Sequence, residues 1–277
     1  MAFHTFCIAN YDIQVKAEIE KKLAVCKRML KSLGAERDTA DKQAQYLFDV
    51  ATEFQRIVGL SVKADYGSDN IFDELTELRL ATKLVDCNEE FARDMEEFGH
   101  QYQFQKDPSQ EEVITEDLSW GVSSTEEQSN YIVTRRIGNA LELNEVLYAK
   151  DELAGPSPLD ILDWLKSMHS NSWGFELGTF ASTLLPAAMR QQANKWKAMA
   201  SGYTSDVIAL VHGFVTTLLQ SLCGDDQVSE RLLNLLLDSL LEKYSRSLEH
   251  VKFLVDVELS GVPMTLNHYF NDNLEKW

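Results

Sequence analysis

The sequence predicts an all-α fold, an elongated antiparallel helical bundle. Apolar residues recur at steps of three and four along most of the chain, which is the period of an amphipathic helix. No segment shows a convincing alternation of apolar and polar residues, so no strand is expected. The last helical pattern covers 228–259, about 48 Å at roughly 1.5 Å per residue, and helices of this length build rod-like bundles.

The N-terminal part of the chain divides into a short extension, residues 1–9, and a first helical region, residues 10–104. Met1–Ile8 is expected to be irregular. The first apolar stripe ends before Gly34, a helix stop, and consists of Ile19, Leu23, Cys26, Leu30 and Leu33. Thr39 and Asp41 are candidate caps of a second helix, whose inward residues are predicted to be Leu47, Val50, Phe54 and Ile57.

A long helix is predicted between the turn cluster at 66–70 and Gly99. Its apolar residues step by three and four, and glycine is a common helix terminator. The inward residues are Leu80, Leu84, Cys87, Phe91, Met95 and Phe98.

Residues 105–130 interrupt the helical pattern. They carry seven acidic residues and no Lys or Arg after position 106, which predicts a flexible acidic loop because like charges repel. Residues 131–277 then contain the second and third long helices. A weak helical pattern covers 131–153.

Four further features are predicted in the C-terminal part. Ser157 to Asp160 resembles a helix start, with Leu159, Leu162 and Leu165 facing inward. A helix is expected from about Leu184 to Leu222, and 223–226 is a turn. The last helix faces inward with Leu233, Leu237, Leu240, Tyr244, Leu248, Val251 and Val255.

Charge and cysteine content exclude several classes of function. The net charge of −18 disfavours nucleic-acid binding, which depends on Lys and Arg, and disfavours a surface lying flat on an anionic bilayer. The four cysteines form no C-x-x-C pair, and Cys26, Cys87 and Cys223 lie on apolar helical faces, which indicates a reduced, cytoplasmic protein. No apolar run reaches the ~18 residues of a membrane span.

The chain contains no motif of an enzyme. None of its 13 glycines precedes Lys, so a phosphate-binding loop is absent from the sequence. The six histidines do not pair at metal-ligand spacing, and no nucleophile motif is present. The sequence therefore predicts no catalytic residue, no cofactor and no metal site in this chain.

A glycine-rich segment, Trp173–Gly178, indicates a tight turn between helices. Gly174 and Gly178 allow backbone conformations closed to other residues, and Phe175 and Leu177 would pin the turn to the bundle. The same Gly-x-x-x-Gly spacing occurs in membrane helix dimers, but Glu176 disfavours that interpretation.

Several segments together resemble the stalk of dynamin-superfamily GTPases, closest to the Mx-like fungal branch. The resemblance covers most of the chain, and 265–274 is its most specific part. The other matching segments are 18–23, 33–37, 54–56, 99–102, 174–180, 185–186, 191–192 and 195–196.

The resemblance implies a function in self-assembly and membrane remodelling or target encirclement. In the family, GTP and Mg belong to an N-terminal GTPase domain, and an effector segment supplies the fourth stalk helix. Neither is expected here, so the predicted bundle lacks its fourth helix. Implied partners are further copies of the chain, the GTPase domain and the effector helix, with membranes reached only indirectly and localisation cytoplasmic or peripheral at organelle membranes.

The resemblance also implies which residues form the assembly interface. The glycine turn corresponds to an assembly loop at the stalk end, and 253–257 to the neighbourhood of a two-fold stalk contact. Trp173 stands where the family carries Arg, so an aromatic contact would replace a charged one. The implied interface residues are Trp173, Gly174, Phe175, Glu176, Leu177, Gly178, Phe253 and Val257.

Three interpretations remain open from the sequence. The chain is either an assembly stalk or a stand-alone helical adaptor that pairs with full-length dynamin-like proteins and regulates them. An unrelated enzyme on a helical bundle is the third possibility, and convergent catalytic side chains are missing from the sequence pattern.

Overall fold

α-Helices make up most of the structure, a computed structural model that describes residues 2–32, 37–103, 131–138, 141–171 and 184–261. The prediction of a mainly helical fold is confirmed. The helices are α1 (Ala2–Ser32), α2 (Ala40–Val62), α3 (Ile71–Glu74), α4 (Leu80–Phe98), α5 (Ile161–Asn171), α6 (Leu184–Gln192), α7 (Trp196–Cys223) and α8 (Asp226–Ser260).

Four short strands interrupt the helices, so the prediction that the chain has no strand is wrong. β1 (Tyr102–Gln103) pairs in parallel with β4 (Ser157–Asp160). β2 (Tyr131–Val133) pairs antiparallel with β3 (Glu152–Ala154). The prediction of helix over 131–153 is also wrong, since this region contains β2 and β3. The sequence does not reveal these strands, because three residues are too few to show a period of two.

The chain divides into two units. Unit 1 comprises Met1–Ala81 and His212–Asp238, and unit 2 comprises Thr82–Val211 and Ser239–Trp277. Both α7 and α8 therefore contribute residues to each unit.

Unit 1 has a small core that α2 and the turns after it enclose. Thr39 caps α2, as predicted, and its side chain accepts a hydrogen bond from the Lys42 N–H at 3.4 Å. Ile57, Phe72 and Leu78 are fully buried. Ser61 joins these turns to α4, because its hydroxyl donates to the Leu78 carbonyl at 2.7 Å and accepts from the Leu80 N–H at 3.2 Å.

Two of the four predicted inward residues of α2 are buried. Val50 and Ile57 are buried and Phe54 is half-buried, but Leu47 is exposed, so that part of the prediction is wrong. Nearby, the Tyr46 hydroxyl donates to the Cys223 carbonyl at 2.8 Å, which ties α2 to the end of α7. The predicted turn follows at once, with Gly224 at φ 63°.

The first helix departs from the prediction in two ways. It begins at Ala2, so the irregular conformation expected for Met1–Ile8 is wrong from Ala2 onward. Every described side chain from Val15 to Lys31 is exposed, including Cys26, which was expected to pack as a small apolar group. The spacing correctly indicates which residues share a face, but it does not reveal whether that face is covered.

In unit 2, α4 and α8 have the predicted inward faces. The six predicted residues of α4 are buried or half-buried, and the helix ends before Gly99. A Cβ at Gly99 would lie 2.3 Å from the Met95 carbonyl oxygen, so this terminus requires glycine. Tyr244 and Leu248 of α8 are buried with Leu143, Leu147 and Ile208.

The helix predicted to start at Ser157 starts later. Ser157–Asp160 is β4, and the Asp160 carboxylate accepts from the Leu162 N–H at 2.7 Å at the beginning of α5. Of the three residues predicted to face inward, Leu159 and Leu162 are exposed and Leu165 is half-buried. Trp164 stacks on Tyr102, with ring centroids 5.0 Å apart.

Over an 18-residue window, α7 is long and apolar enough to cross a membrane by length and composition. The sequence predicted no such stretch, because Gly, Ser and Thr interrupt the run of apolar residues in α7. Core helices of soluble proteins pass the same test. Ser205 and Asp206, both buried in α7, bond to backbone N–H groups of 136–148, as the side chains of a core helix do.

Candidate interaction surface

The C-terminal half of α8 is held in a fixed orientation by its buried side. Tyr244 and Leu248 lie in the core of unit 2, with Leu240 and Leu241 packed beside them. Lys197 adds a polar contact further along, because its Nζ donates to both Asp256 oxygens at 2.9 Å. Together these contacts determine which α8 side chains point away from the unit.

Three apolar side chains in the C-terminal half of α8 are exposed, and we refer to them as the α8 apolar surface. Phe253 is 61% exposed, Leu254 49% and Val257 50%. They lie on adjoining positions of the helix, since residues three and four apart are neighbours. The His250 ring lies beside the Phe253 ring, with centroids 6.4 Å apart.

The structure therefore places two of the predicted interface residues on one exposed patch. Phe253 and Val257 both belong to the α8 apolar surface. The sequence did not identify Leu254 as an interface residue, because Leu254 lies outside the apolar stripe of α8 that was predicted to face inward. The other six predicted residues, 173–178, lie outside the described residues.

Two sequence segments that carry the family resemblance contact each other. Gln192 Oε1 accepts from the backbone N–H groups of Gln101 (3.0 Å) and Tyr102 (2.7 Å), while its Nε2 donates to the Tyr102 carbonyl at 3.1 Å. Lys195 Nζ donates to the His100 carbonyl, and Trp196 Nε1 to that of Gly99 at 2.8 Å. These side chains thus have a structural role: they fasten the chain that follows α4 to the start of α7.

A second anchor joins the β2–β3 region to α7. Gly202 has no side chain where Thr134 crosses the helix, and a Cβ there would lie 1.7 Å from the Thr134 carbonyl oxygen. One turn later, the Asp206 carboxylate accepts from the N–H groups of Arg136 (3.0 Å) and Ile137 (2.8 Å). In the sequence, the indication of this anchor is Asp206, a single acidic residue four positions after Gly202 in an apolar helical segment.

The Asp206 carboxylate is buried, and its electrostatic environment is mixed. Burial raises the pKa of this carboxyl above its ordinary value. The two N–H donors and the positive charges of Arg135 and Arg136 oppose that effect. Arg135 is itself buried, and its Nε and Nη1 have no hydrogen-bond partner in the part of the chain that the structure describes. Its charge therefore acts on Asp206 without a direct bond from those two atoms.

Arg136 connects the same region to α4. Its guanidinium pairs with both oxygens of Asp94, one of them at 2.7 Å, and this pairing raises the pKa of Arg136. A small cavity lies beside the pair, lined by Cys87, Phe91 and Tyr203 among others. Burial raises the pKa of the Cys87 thiol to about 11, so the thiol is protonated at neutral pH and is a poor nucleophile.

Among the described residues, no group of three or more His, Cys, Asp or Glu side chains could hold a metal ion. The polar side chains around Asp206 are engaged in joining elements of unit 2. The α8 apolar surface is therefore the feature of this unit whose chemistry best suits a partner. Comparison of the chain with protein-family models, with characterised proteins and with solved structures finds no match.

Proposed function

We propose that this chain is the self-assembly stalk of a dynamin-like large GTPase, with no catalytic site of its own. The α8 apolar surface carries the proposal, because a core-anchored helix presents three apolar side chains to solvent at the predicted interface position. The choice of family in this proposal rests on the sequence motifs described above, and the mainly helical fold is compatible with a stalk. Membrane remodelling or target encirclement would belong to the assembled protein.

The size of the surface favours weak, repeated contacts. Its side chains are already about half-buried, so covering each would contribute about 1 kcal/mol. Pairing the surfaces of two copies then gives about 6 kcal/mol, which is similar to the cost of association. Such a contact is weak alone and becomes effective when each copy makes several contacts at once. Reversible assemblies are built in this way.

The proposal assigns roles to components outside this chain. GTP and Mg would be bound by a GTPase domain of the family type, and an effector helix would complete the bundle. Further copies of the stalk are the direct partners, membranes are reached only through the assembly, and the protein is cytoplasmic or peripheral at organelle membranes. A stand-alone adaptor would instead bind full-length relatives without assembling by itself.

We expect Val257→Asp to weaken self-association at least tenfold, because the new carboxylate would lose its hydration in the contact. Sedimentation velocity over a range of protein concentrations measures this effect. Val85→Asp is the matched control, since Val85 is 52% exposed on α4 and lies outside the α8 apolar surface. Equal effects of the two changes, in protein whose other contacts between copies have been removed by substitution, would contradict the proposed role of α8.

We also expect no binding of GTP to this chain. Phosphates need a cradle of backbone N–H groups with a lysine, and no glycine of the chain precedes Lys. Titration calorimetry with GTP and Mg measures the affinity. Micromolar binding would show that the chain has a nucleotide site and would favour the enzyme alternative.

A further inference from the structure

The exposed face of α1 has the spacing of a coiled-coil seam. Ile19, Leu23, Cys26 and Leu30 step by four, three and four, and we refer to these four residues as the α1 seam. Ile19 is 59% exposed, Leu23 51% and Leu30 66%, and Cys26 is exposed as well. Apolar residues whose steps alternate between four and three form the pattern that packs against another helix.

The charges on α1 are unlike those of the rest of the chain. Between Val15 and Lys31 there are six basic residues and two acidic ones, a net charge of +4 in a protein of −18. Glu20, Lys22 and Lys27 directly flank the seam. Val15 and Met29 also flank the seam and are exposed, but Lys22 lies between them and charged residues occupy the other flank. The apolar face is therefore interrupted, whereas a helix lying in a bilayer buries a broad, continuous face. A second helix with the same repeat is the better fit, and a second copy of α1 provides one.

The flanking charges decide the orientation of the two helices. In a parallel pair in register, Lys22 of each copy would face Lys27 of the other, which is repulsive. In an antiparallel pair, Glu20 of each copy faces Lys27 of the other, giving two attractive contacts. The antiparallel arrangement also places Ile19 against Leu30, and Leu23 against Cys26, so that each seam residue meets an apolar group.

We propose that α1 pairs with α1 of a second copy as an antiparallel two-helix coiled coil, centred between Ala24 and Val25. The inference goes beyond the proposed function and does not rest on it, because the α1 seam lies in unit 1 and shares no residue with the α8 apolar surface. The contact gives the chain a second way to associate with itself. Its two-fold symmetry closes it at two copies, so it links pairs and does not extend indefinitely.

Charge exchange at the flanking positions tests the proposal. The experiment uses full-length protein carrying Val257→Asp, so that α8 contacts are suppressed, and measures dimer dissociation constants by sedimentation at low salt without lipid. Lys27→Glu should weaken the dimer roughly fivefold, because two ion pairs become two like-charge contacts. The exchange Glu20→Lys with Lys27→Glu should restore it. If Lys27→Glu strengthened the dimer, the helices would be parallel and the proposal would be overturned. Failure of the double exchange to restore the affinity would also overturn it.

A matched pair of substitutions tests the seam. Leu23→Asp should weaken the dimer at least about a hundredfold, because it places an unpaired charge in the seam. Val25→Asp should leave the dimer unchanged, since Val25 is exposed on α1 but lies off the seam. Equal losses in both variants would overturn the proposal. It would also be overturned if the Val257→Asp protein remained monomeric up to about 100 μM, or if it associated only on anionic vesicles. The α8 proposal is judged separately, by comparing Val257→Asp with Val85→Asp in protein carrying Leu23→Asp.

Discussion

Replacing Gly202 by alanine is expected to destabilise the protein by about 3 kcal/mol or more. The new Cβ would lie 1.7 Å from the Thr134 carbonyl oxygen and 2.5 Å from the carbonyl carbon. Both are backbone atoms, so no side-chain rotation relieves the overlap, and the chain at 134 must move away from α7. That movement would also break the bonds of Asp206 to the Arg136 and Ile137 N–H groups. Chemical denaturation followed by circular dichroism measures the loss.

Gly213→Ala on the same helix is the matched control for this prediction. Apart from its chain neighbours and the backbone of its own helix, no atom lies within 4 Å of a Cβ built at Gly213, so the change adds helix propensity without a clash. It should stabilise the protein by up to about 1 kcal/mol. If Gly202→Ala behaved like Gly213→Ala, the close approach of the 131–137 segment to α7 would be refuted.

Removing the Asp206 side chain should have the second largest effect. Asp206→Ala leaves the partly buried Arg136 and Ile137 N–H groups without their acceptor, at a cost of up to about 3 kcal/mol for each group. Asp206→Asn keeps an oxygen at the Oδ1 position, which lies 3.2 Å from the Arg136 nitrogen and 2.8 Å from the Ile137 nitrogen. Its unfolding free energy should therefore stay closer to wild type than that of Asp206→Ala, within about 1 kcal/mol at neutral pH. Urea midpoints of the three proteins test this order, and equal losses in both variants would contradict the assigned role of the carboxylate.

The raised pKa of Asp206 adds a pH dependence of definite sign. The folded protein holds this proton more tightly than the unfolded chain, whose Asp has a pKa of about 3.9. The contribution of Asp206 to the unfolding free energy therefore falls as pH rises through the interval between the unfolded and folded pKa values. Asp206→Asn lacks this dependence, so its stability relative to wild type should increase across that interval and then level off. A difference that shrinks as pH rises would contradict the raised pKa.

Elements with strong local signals were predictable from the sequence. The helices α4 and α8 combine a long apolar period with a glycine at one end, and Thr39 caps α2 as its position before the helix indicates. In such segments the apolar pattern, the capping residue and the terminating glycine all indicate the same helix. Tertiary contacts therefore do not change the structure that the local sequence favours.

The β2–β3 region and the start of α5 were not predictable, because distant residues determine their structure. Asp206 bonds to backbone about 70 positions earlier, and Gln192 to backbone about 90 positions earlier. No local pattern contains that information. The exposure of the α1 seam was missed for a related reason: periodicity assigns residues to a face, but only the three-dimensional arrangement reveals whether anything covers it.

The candidate surface was predictable in part. The family motifs pointed to 253–257, and the exposed Phe253 and Val257 fit that expectation, whereas Leu254 became evident only when the buried side of α8 was known. The sequence shows Gly202 and Asp206 in α7, but it does not show that they contact residues 134–137.

The amide of Gln192 has a further consequence for how copies of this protein can meet. Strands that expose unpaired N–H and C=O groups recruit strands from other chains and cause edge-to-edge aggregation. At Tyr102, the Gln192 side chain engages both the N–H and the carbonyl oxygen, as a neighbouring strand would. One side chain thus closes the border of β1 opposite β4 at that residue. If copies of the chain assemble through the helical surfaces proposed above, such borders would otherwise come together at high local density, where unpaired strand edges pair with one another.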